Sequence, residues 1–517
     1  MLAITRAIAT SSTKSSQFRY TIVQGRNKSK THWAVLKRKT SAKYKAQNHF
    51  DDFYGSVFGK KWEPIKKAML RRPKYVAVVN NYGDTEETAE YLTNRGAHCL
   101  KNLMSIQQEF NTQYNPTPEA ATSAEPDDKL QSYINKVQSD DIADIYPQTG
   151  ELPDKLDHGN LILNSTEYLL TNKVDVQAQN NSINISTPKS PIDESRIIDP
   201  SLGMSTAEAL YQYIPATKLK GMDDWLPESL HYSFVSTNKD FPLVIDEETE
   251  FKFPEHLKVY TYEMESEFTM FPEPRRCKTG VMNYYPLDCG SVLAVLALCL
   301  SPGDRVLDLC SAPGGKALIA LQTLLPDIVI CNDPSISRSN RTMRTFNDYL
   351  TDFKTSNKWQ ERVLFTRRDG REFTDDHGFD KVLVDVPCTT DRISMNENEN
   401  NIFRPDRIKE RLRLPELQSQ LLVNALRLVR VGGAVVYSTC SLSPIQNDGV
   451  VHVALKRAFE DHGVLASVRD LSACMASLSS TVELARGNTA PQYGQLVTPS
   501  IAANFGPSYV SRLVRLK

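Results

Sequence analysis

Two cysteines each end a short apolar run in the carboxyl-terminal half of the chain. The runs are Lys381-Val-Leu-Val-Asp-Val-Pro-Cys388 and Ala434-Val-Val-Tyr-Ser-Thr-Cys440. A lone free cysteine is more often a small core side chain than a reactive one. Two cysteines that both follow predicted strands are better placed to react, because the carboxyl ends of parallel strands meet at one edge of a sheet. The pattern predicts a nucleophilic thiol with a second thiol beside it.

Such a pair suits methyl transfer to carbon 5 of a pyrimidine. That carbon is a poor nucleophile until a thiolate adds at carbon 6 of the ring. The proton on carbon 5 must then leave before the thiolate is eliminated, and a second cysteine could act as the base. Asp385, near both cysteines, could hydrogen-bond the edge of a cytosine.

A glycine turn follows an earlier apolar run, in the segment Asp308-Leu-Cys-Ser-Ala-Pro-Gly-Gly-Lys316. Its spacing matches neither the dinucleotide-binding nor the phosphate-loop motif. Asp333 ends the next run about 20 residues later, the offset at which an acidic residue contacts ribose hydroxyls. The alternative is a simple structural turn. Three later runs, however, also end in or near an acidic residue, namely Asp333, Asp369 and Asp385, and this favours an adenosine-type ligand. Asp369 could accept from an adenine amino group, although Asp369-Gly370 is also typical of a turn.

Short apolar runs and amphipathic stretches alternate from Gly280 onward. This alternation predicts an α/β fold with a doubly wound, mostly parallel, Rossmann-like sheet. The predicted strands begin at Arg305, Ile328, Arg362, Phe379 and Gly433, and the predicted helices cover Lys316 to Leu325, Ser337 to Leu350 and Pro415 to Val429. Near the amino terminus, aromatic residues from Phe50 to Phe58 recur at helical spacing and predict a helical lead-in.

Three segments together resemble the Nop/Sun family of RNA cytosine-5 methyltransferases: Asp308 to Lys316, Asp385-Val-Pro-Cys388 and Ser438-Thr-Cys-Ser-Leu442. The resemblance implies a class I methyltransferase fold that uses S-adenosylmethionine. It also implies that Cys440 is the nucleophile and that Cys388 assists product release. The residues that it places around the cofactor are Cys310, Ser311, Ala312, Pro313, Gly314, Gly315, Lys316, Asp333, Arg338, Asp369 and Asp385.

Further stretches are most similar to the mitochondrial branch of that family, which modifies small-subunit ribosomal RNA. They are Pro387-Cys-Thr-Thr-Asp-Arg, Asn400-Asn-Ile-Phe and Ala503-Asn-Phe-Gly-Pro. That resemblance implies a role in mitochondrial ribosome assembly and a mitochondrial termination-factor-like partner. Two alternatives remain open: a mitochondrial transfer-RNA methyltransferase with the same chemistry, and an assembly factor whose methyl transfer is dispensable.

Length and composition divide the chain of 517 residues into several units. We expect a presequence over 1–45, a small helical region over 46–114, a polar linker or insertion over 115–200, a lead-in over 201–279 that packs on the next domain, and the methyltransferase domain over 280–517. The nine cysteines include no C-x-x-C pair, which argues against a structural zinc site. No apolar run approaches the ~20 residues that a membrane span needs.

The formal net charge is −1, so contact with RNA must depend on local basic clusters. Arg367, Arg368 and Arg371 surround Asp369, and a second cluster runs from Arg404 to Arg413. The second cluster also fits a solvated helix face. Its proximity to Cys388 in the sequence favours phosphate contacts. A target cytosine must leave its stack to reach both cysteines, which predicts a loop or single strand as substrate.

The first fifty residues contain no Asp or Glu, whereas bases such as Arg6, Lys14 and Arg19 are spread among many Ser and Thr residues. This composition is typical of a mitochondrial presequence and predicts import into the matrix. A disordered basic arm that binds RNA is the alternative.

Fusion of the first fifty residues to a fluorescent protein separates these two interpretations. An import signal needs no other part of the chain, so we expect the fusion to colocalise with a mitochondrial matrix marker under the microscope. Diffuse cytoplasmic fluorescence would contradict the presequence and favour the basic arm.

Overall fold

A computed structural model describes residues 41–114, 241–248, 251–266 and 271–517. The predicted insertion (115–200), nearly all of the predicted presequence and residues 201–240 of the predicted lead-in lie outside these ranges. Within the described ranges, no helix is long and apolar enough to cross a membrane. The same ranges contain no group of three His, Cys, Asp or Glu side chains that could hold a metal ion.

Two helices begin the described chain, α1 (Ala42–Phe58) and α2 (Trp62–Leu70). Phe50, Tyr54 and Phe58 recur at a spacing of four residues, so all three are buried along one face of α1. The Phe50 ring lies 5.1 Å from the ring of Phe403 in an edge-on contact. The spacing predicted a helix, and the structure shows that its aromatic face packs on Phe403 of the domain that follows.

The rest of the amino-terminal region is not purely helical. It contains β1 (Val76–Val79), α3 (Thr85–Thr93), β2 (His98–Cys99) and α4 (Leu100–Tyr114). This differs from the helical region predicted over 46–114. The physical reason is the run Val-Ala-Val-Val, which is rich in β-branched residues and is buried on both faces of a sheet.

Three further strands precede the large domain in the chain: β3 (Val244–Glu247), β4 (Val259–Thr261) and β5 (Tyr284–Leu287). An antiparallel small sheet forms in the order β2-β4-β1-β5. β3 instead joins the edge of the large sheet. The predicted lead-in thus contributes strands to both sheets, and β5 belongs to the small sheet although it lies within the predicted methyltransferase domain.

The large domain alternates strands and helices. Its elements are α5 (Cys289–Ala297), β6 (Arg305–Asp308), α6 (Gly315–Gln322), β7 (Ile328–Asn332), α7 (Ile336–Tyr349), α8 (Asn357–Arg362), β8 (Val363–Thr366), β9 (Phe379–Asp385), α9 (Asp391–Asn396), α10 (Ile408–Leu412), α11 (Leu414–Leu428), β10 (Val429–Thr439), α12 (Asp448–His462), β11 (Ala466–Asp470), α13 (Ser472–Ala476), β12 (Gln495–Val497) and β13 (Ser508–Arg515).

The large sheet has nine strands, eight of them in the order β3-β11-β13-β10-β9-β6-β7-β8, with β12 paired to β13. The five strands from β10 to β8 in this order are parallel, and β13 is antiparallel to β10. The chain moves outward in one direction from β6 to β8 and returns to place β9 on the other side of β6. This confirms the predicted doubly wound sheet, and its switch point lies between β6 and β9, where ligands bind in such folds.

Candidate active site

The glycine turn after β6 requires glycine for two reasons. Gly314, which caps α6, has a φ of +102°, a left-handed conformation that side chains disfavour. A Cβ atom at Gly314 would also lie 2.8 Å from Cγ2 of Thr342. Glycine at this position therefore satisfies the left-handed turn after β6 and lets the turn pack closely against α7.

Buried carboxylates line this loop. Asp308 and Asp333 are both almost fully buried, and one oxygen of each accepts no hydrogen bond within the described chain. The free oxygen of Asp333 lies 3.1 Å from Nε of Arg338, close enough for an ion pair but misaligned for a hydrogen bond. Burial, followed by repulsion from Asp385, raises the pKa of Asp308 to about 7. These unsatisfied oxygens fit a ligand that brings hydroxyl or amino donors.

Asn332, which the sequence reasoning missed, holds three strand ends together. Its Nδ2 donates to the backbone oxygens of Leu309 and Arg368, each at 3.0 Å. Its Oδ1 accepts from the hydroxyl of Thr366 at 2.8 Å. The side chain is fully buried, so these bonds fix the loops after β6, β7 and β8 relative to one another. Its position beside Asp333 at a strand end was the available signal.

Asp369 lies at the surface of the same edge and is paired with Arg371. Both carboxylate oxygens accept from that guanidinium, the shorter bond being 2.6 Å. The hydrogen bonds from Arg371 lower the pKa of Asp369. A contact with adenine would therefore compete with this ion pair.

The two cysteines come together at the ends of β9 and β10. These neighbouring strands are parallel and place Asp385 opposite Ser438. The sulfur atoms of Cys388 and Cys440 are 3.1 Å apart. Cys388 is buried, whereas Cys440 is exposed at the floor of a concave pocket. The hydrogen bond with Cys388 raises the pKa of Cys440 well above its usual range. Loss of water around the sulfur and the carboxylates of Asp385 and Asp391 raise it further.

Asp385 connects the cysteines to the cofactor loop. One carboxylate oxygen accepts from the hydroxyl of Ser438 at 2.8 Å, and the other lies 2.7 Å from Nζ of Lys316. Burial alone would lower the pKa of Lys316, but the carboxylates of Asp385 and Asp308 outweigh burial and raise it. Lys316 is therefore a positive charge held between the cofactor loop and the loops that carry the two cysteines.

Asp391 is a further buried carboxylate, which the sequence reasoning also missed. It holds both cysteine loops in place. Asp391 accepts from the hydroxyl of Tyr54 at 2.6 Å and from the backbone N–H of Leu442 at 2.7 Å. It also accepts from the hydroxyls of Thr389 and Ser441, the residues that follow the two cysteines. Burial raises the pKa of Asp391, and the hydrogen bonds oppose that rise. One side chain thus joins α1 to both reactive loops.

A cavity of about 570 Å³ opens above Cys440 and is also lined by Lys316, Asp385 and residues of the turn between α2 and β1. A slightly larger cavity, of about 640 Å³, lies elsewhere and contains none of the predicted site residues. The first cavity is where a substrate base can meet the nucleophile.

The predicted basic cluster from Arg404 to Arg413 is largely neutralised by its own neighbours. Arg404 pairs with Asp406 at 3.0 Å, and Arg407 pairs with Glu410 at 2.6 Å. The guanidinium of Arg411 lies 4.5 Å from the centre of the Phe403 ring. The alternative that the sequence left open, a solvated helix face, therefore describes these residues better than phosphate contacts.

Known proteins that are similar to this chain are methyltransferases, the class of enzyme that the arrangement of the site suits. The family model described as 16S rRNA methyltransferase RsmB/F matches residues 295–483. The 5-cytosine rRNA methyltransferase nsun-4 of Caenorhabditis elegans is 31% identical over 508 residues, which cover 97% of this chain and 98% of that protein. The chain belongs to the RsmB/F (Nop/Sun) family. It is a cytosine-5 methyltransferase that uses S-adenosylmethionine.

Two further comparisons each cover just under half of the chain. The mitochondrial tRNA (cytosine(34)-C(5))-methyltransferase of Danio rerio is 35% identical over 265 residues, covering 47% of this chain and 66% of that protein. The crystal structure of NSun6 from Pyrococcus horikoshii with SFG is 22% identical, covers 46% of this chain and 54% of that chain, and gives a TM-score of 0.35.

Replacement of Gly314 by Ala should weaken binding of S-adenosylmethionine about tenfold. The left-handed backbone costs roughly 1–2 kcal/mol for an alanine, and the new Cβ would also displace Thr342. Isothermal titration calorimetry measures the affinity. Gly303→Ala is the matched control, because Gly303 has a φ of +85° but nothing within 4 Å of its Cβ position. Equal affinity in the two variants would contradict a special role for the loop.

Removal of the Tyr54 hydroxyl should slow methyl transfer without changing cofactor affinity. Tyr54→Phe leaves a buried oxygen of Asp391 short of a donor, which should lower the free energy of unfolding by about 1–3 kcal/mol. Tyr91→Phe is the control, because the Tyr91 hydroxyl has no hydrogen-bond partner in the described chain. Chemical denaturation and single-turnover kinetics measure the two effects. Identical behaviour of both variants would show that the hydrogen bond to Asp391 is dispensable.

Proposed function

We propose that this chain methylates carbon 5 of a cytosine in mitochondrial small-subunit ribosomal RNA and thereby supports assembly of the mitochondrial ribosome. The observation that carries the proposal is the pair of sulfurs 3.1 Å apart beside Asp385 and the cofactor loop. Over the shared half of the chain, the 5-cytosine rRNA methyltransferase NSUN4 of Bos taurus is 42% identical over 264 residues, whereas the transfer-RNA enzyme is 35% identical over 265 residues. A matrix location and a termination-factor-like partner belong to the same proposal.

S-adenosylmethionine supplies an electrophilic methyl group when it is bound. The residues that would hold it are the loop from Cys310 to Lys316, Asp333 with Arg338, and Asp369. The oxygens of Asp308 and Asp333 that accept no hydrogen bond in the described chain fit the hydroxyl and amino donors of such a ligand. Lys316, at the end of this loop, is paired with Asp385, which offsets its positive charge.

Cys440 is the nucleophile in this proposal. Its sulfur forms a bond to carbon 6 of the cytosine, and the electron pair of the ring double bond moves so that carbon 5 can take the methyl group. The thiolate, not the thiol, is the nucleophile, so the Cys440 proton must pass to solvent before the bond to carbon 6 forms. Asp385, held by Ser438 and Lys316, is placed to hydrogen-bond the edge of the base.

Cys388 completes the reaction. After methylation, it removes the proton from carbon 5, and the bond between carbon 6 and the Cys440 sulfur breaks as the ring double bond re-forms. The short distance between the two sulfurs supports this role, because the second thiol must reach the carbon next to the one attacked. Reversal of the two roles would give the opposite mutant behaviour.

The two cysteine variants should differ in kind. Cys440→Ala should reduce methyl transfer to less than about a thousandth of that of the wild type, because the ring is not activated without the thiolate. Cys388→Ala should accumulate a covalent RNA adduct through Cys440, because release is blocked. Transfer of labelled methyl groups to a mitochondrial ribosomal RNA fragment measures the first effect, and denaturing electrophoresis measures the second.

Cys99→Ala is the control for both assays, because Cys99 is partly buried in the small sheet, away from the site. It should methylate normally and form no adduct. Accumulation of adduct in Cys440→Ala instead of Cys388→Ala would overturn the assignment of roles and leave the enzyme class unchanged. Preference for mitochondrial transfer RNA over the ribosomal fragment would overturn the proposed substrate.

A further inference from the structure

The turn between α2 and β1 forms one wall of the cavity that contains Cys440. Leu70 is 44% exposed and Tyr75 is 38% exposed on this wall, and Ile393, which also lines the cavity, is 51% exposed. Large apolar side chains left in water beside a reactive pocket indicate a surface that another molecule covers. An aromatic ring at that position offers a flat face for stacking.

The same turn carries two arginines, Arg71 and Arg72. Both are exposed, and neither has a carboxylate within ion-pair distance in the described parts of the chain. Arg404 and Arg407, by contrast, each have an acidic partner. Unpaired guanidinium groups keep their full attraction for phosphate, whereas paired ones must first break an ion pair.

The acidic side chains that line this cavity do not cancel the positive charge of Arg71 and Arg72. Asp385 is paired with Lys316, and Asp288 is partly buried and accepts from the backbone N–H groups of Gly290 and Gly506. Glu397 remains as an exposed acidic side chain of the lining. The two arginines outnumber it, so the mouth of the cavity favours an anionic ligand.

Arg392 fastens this turn to the helix that follows Cys388. Its guanidinium donates to the backbone oxygens of Ala68 at 3.2 Å and Arg71 at 3.3 Å, and to that of Gly506 at 2.7 Å. Asn396 on the same helix donates to the backbone oxygen of Met69 at 3.0 Å. The turn is thus held in a fixed position relative to the reactive loops, which reduces the entropy lost when a ligand binds.

We propose that the turn from Leu70 to Tyr75 binds single-stranded RNA next to the target cytosine. Arg71 and Arg72 contact phosphates of the flanking nucleotides, and the Tyr75 ring stacks on a neighbouring base. The cytosine then enters the cavity towards Cys440. This inference rests on the proposed RNA methyltransferase function and specifies which surface receives the strand.

The test measures binding of a short single-stranded RNA with one cytosine to the full chain, in a Cys440→Ala background that prevents adduct formation. Fluorescence anisotropy is recorded over a series of salt concentrations. Affinity falls as salt rises, so the slope of log affinity against log salt is negative. Arg71→Gln/Arg72→Gln should make this slope less steep by about 1.4, because each phosphate of a single strand that is no longer neutralised reduces its steepness by ~0.7. Arg404→Gln/Arg407→Gln is the matched control and should leave the slope unchanged.

Tyr75→Ala should weaken binding about tenfold through loss of stacking. Tyr75→Phe should retain the affinity, because the ring face remains. Replacement of the nucleotides that flank the cytosine by abasic residues should remove most of the difference between Tyr75→Ala and the parent protein. This change is a readout that a general folding defect would not produce.

Three outcomes would overturn the inference: an unchanged salt slope in the Arg71→Gln/Arg72→Gln variant, an equal change in the control variant, or a Tyr75→Ala effect that persists on abasic RNA. If the Arg71→Gln/Arg72→Gln variant binds RNA normally but no longer binds a protein partner, the turn is a protein-binding surface instead. Methyl transfer by the protein with its native Cys440 is assayed in parallel, so failure of the proposed function would be seen separately.

Discussion

The buried carboxylate of Asp391 is the interaction on which the arrangement of the reactive groups depends. A carboxylate in the protein interior is stable only when its oxygens are well hydrogen-bonded, and removing one of its donors costs about 1–3 kcal/mol. Here the partners come from the loop after Cys388, the loop after Cys440 and helix α1. The need to satisfy one anion therefore fixes three segments that are far apart in the sequence.

The ion pair between Lys316 and Asp385 plays the corresponding role between cofactor and substrate. Lys316 begins the helix after the glycine turn, and Asp385 ends the strand that leads to Cys388. The carboxylate of Asp385 raises the pKa of Lys316 and contributes to the high pKa of the Cys440 thiol. One carboxylate therefore acts on both the lysine of the cofactor loop and the nucleophile.

The basic residues show why sequence proximity is a poor guide to contacts with RNA. The cluster from Arg404 to Arg413 follows Cys388 closely along the chain, yet acidic residues a few positions away pair with its arginines. Arg71 and Arg72 lie more than three hundred residues before Cys388. They line the reactive cavity because α2 and the helix after Cys388 pack together.

The sequence by itself determined the doubly wound sheet, the position of the glycine turn and the presence of two cysteines at strand ends, because strand and helix periodicity and turn chemistry are local properties. It did not reveal the β1 strand in the small sheet, the strand-end clamp of Asn332 or the pairing of Asp369 with Arg371. Only the tertiary structure decided these, and it also brought Tyr54 to Asp391 across 337 residues of chain. Such contacts depend on how whole elements pack to bury their apolar faces and satisfy their polar groups, which no short stretch of sequence specifies.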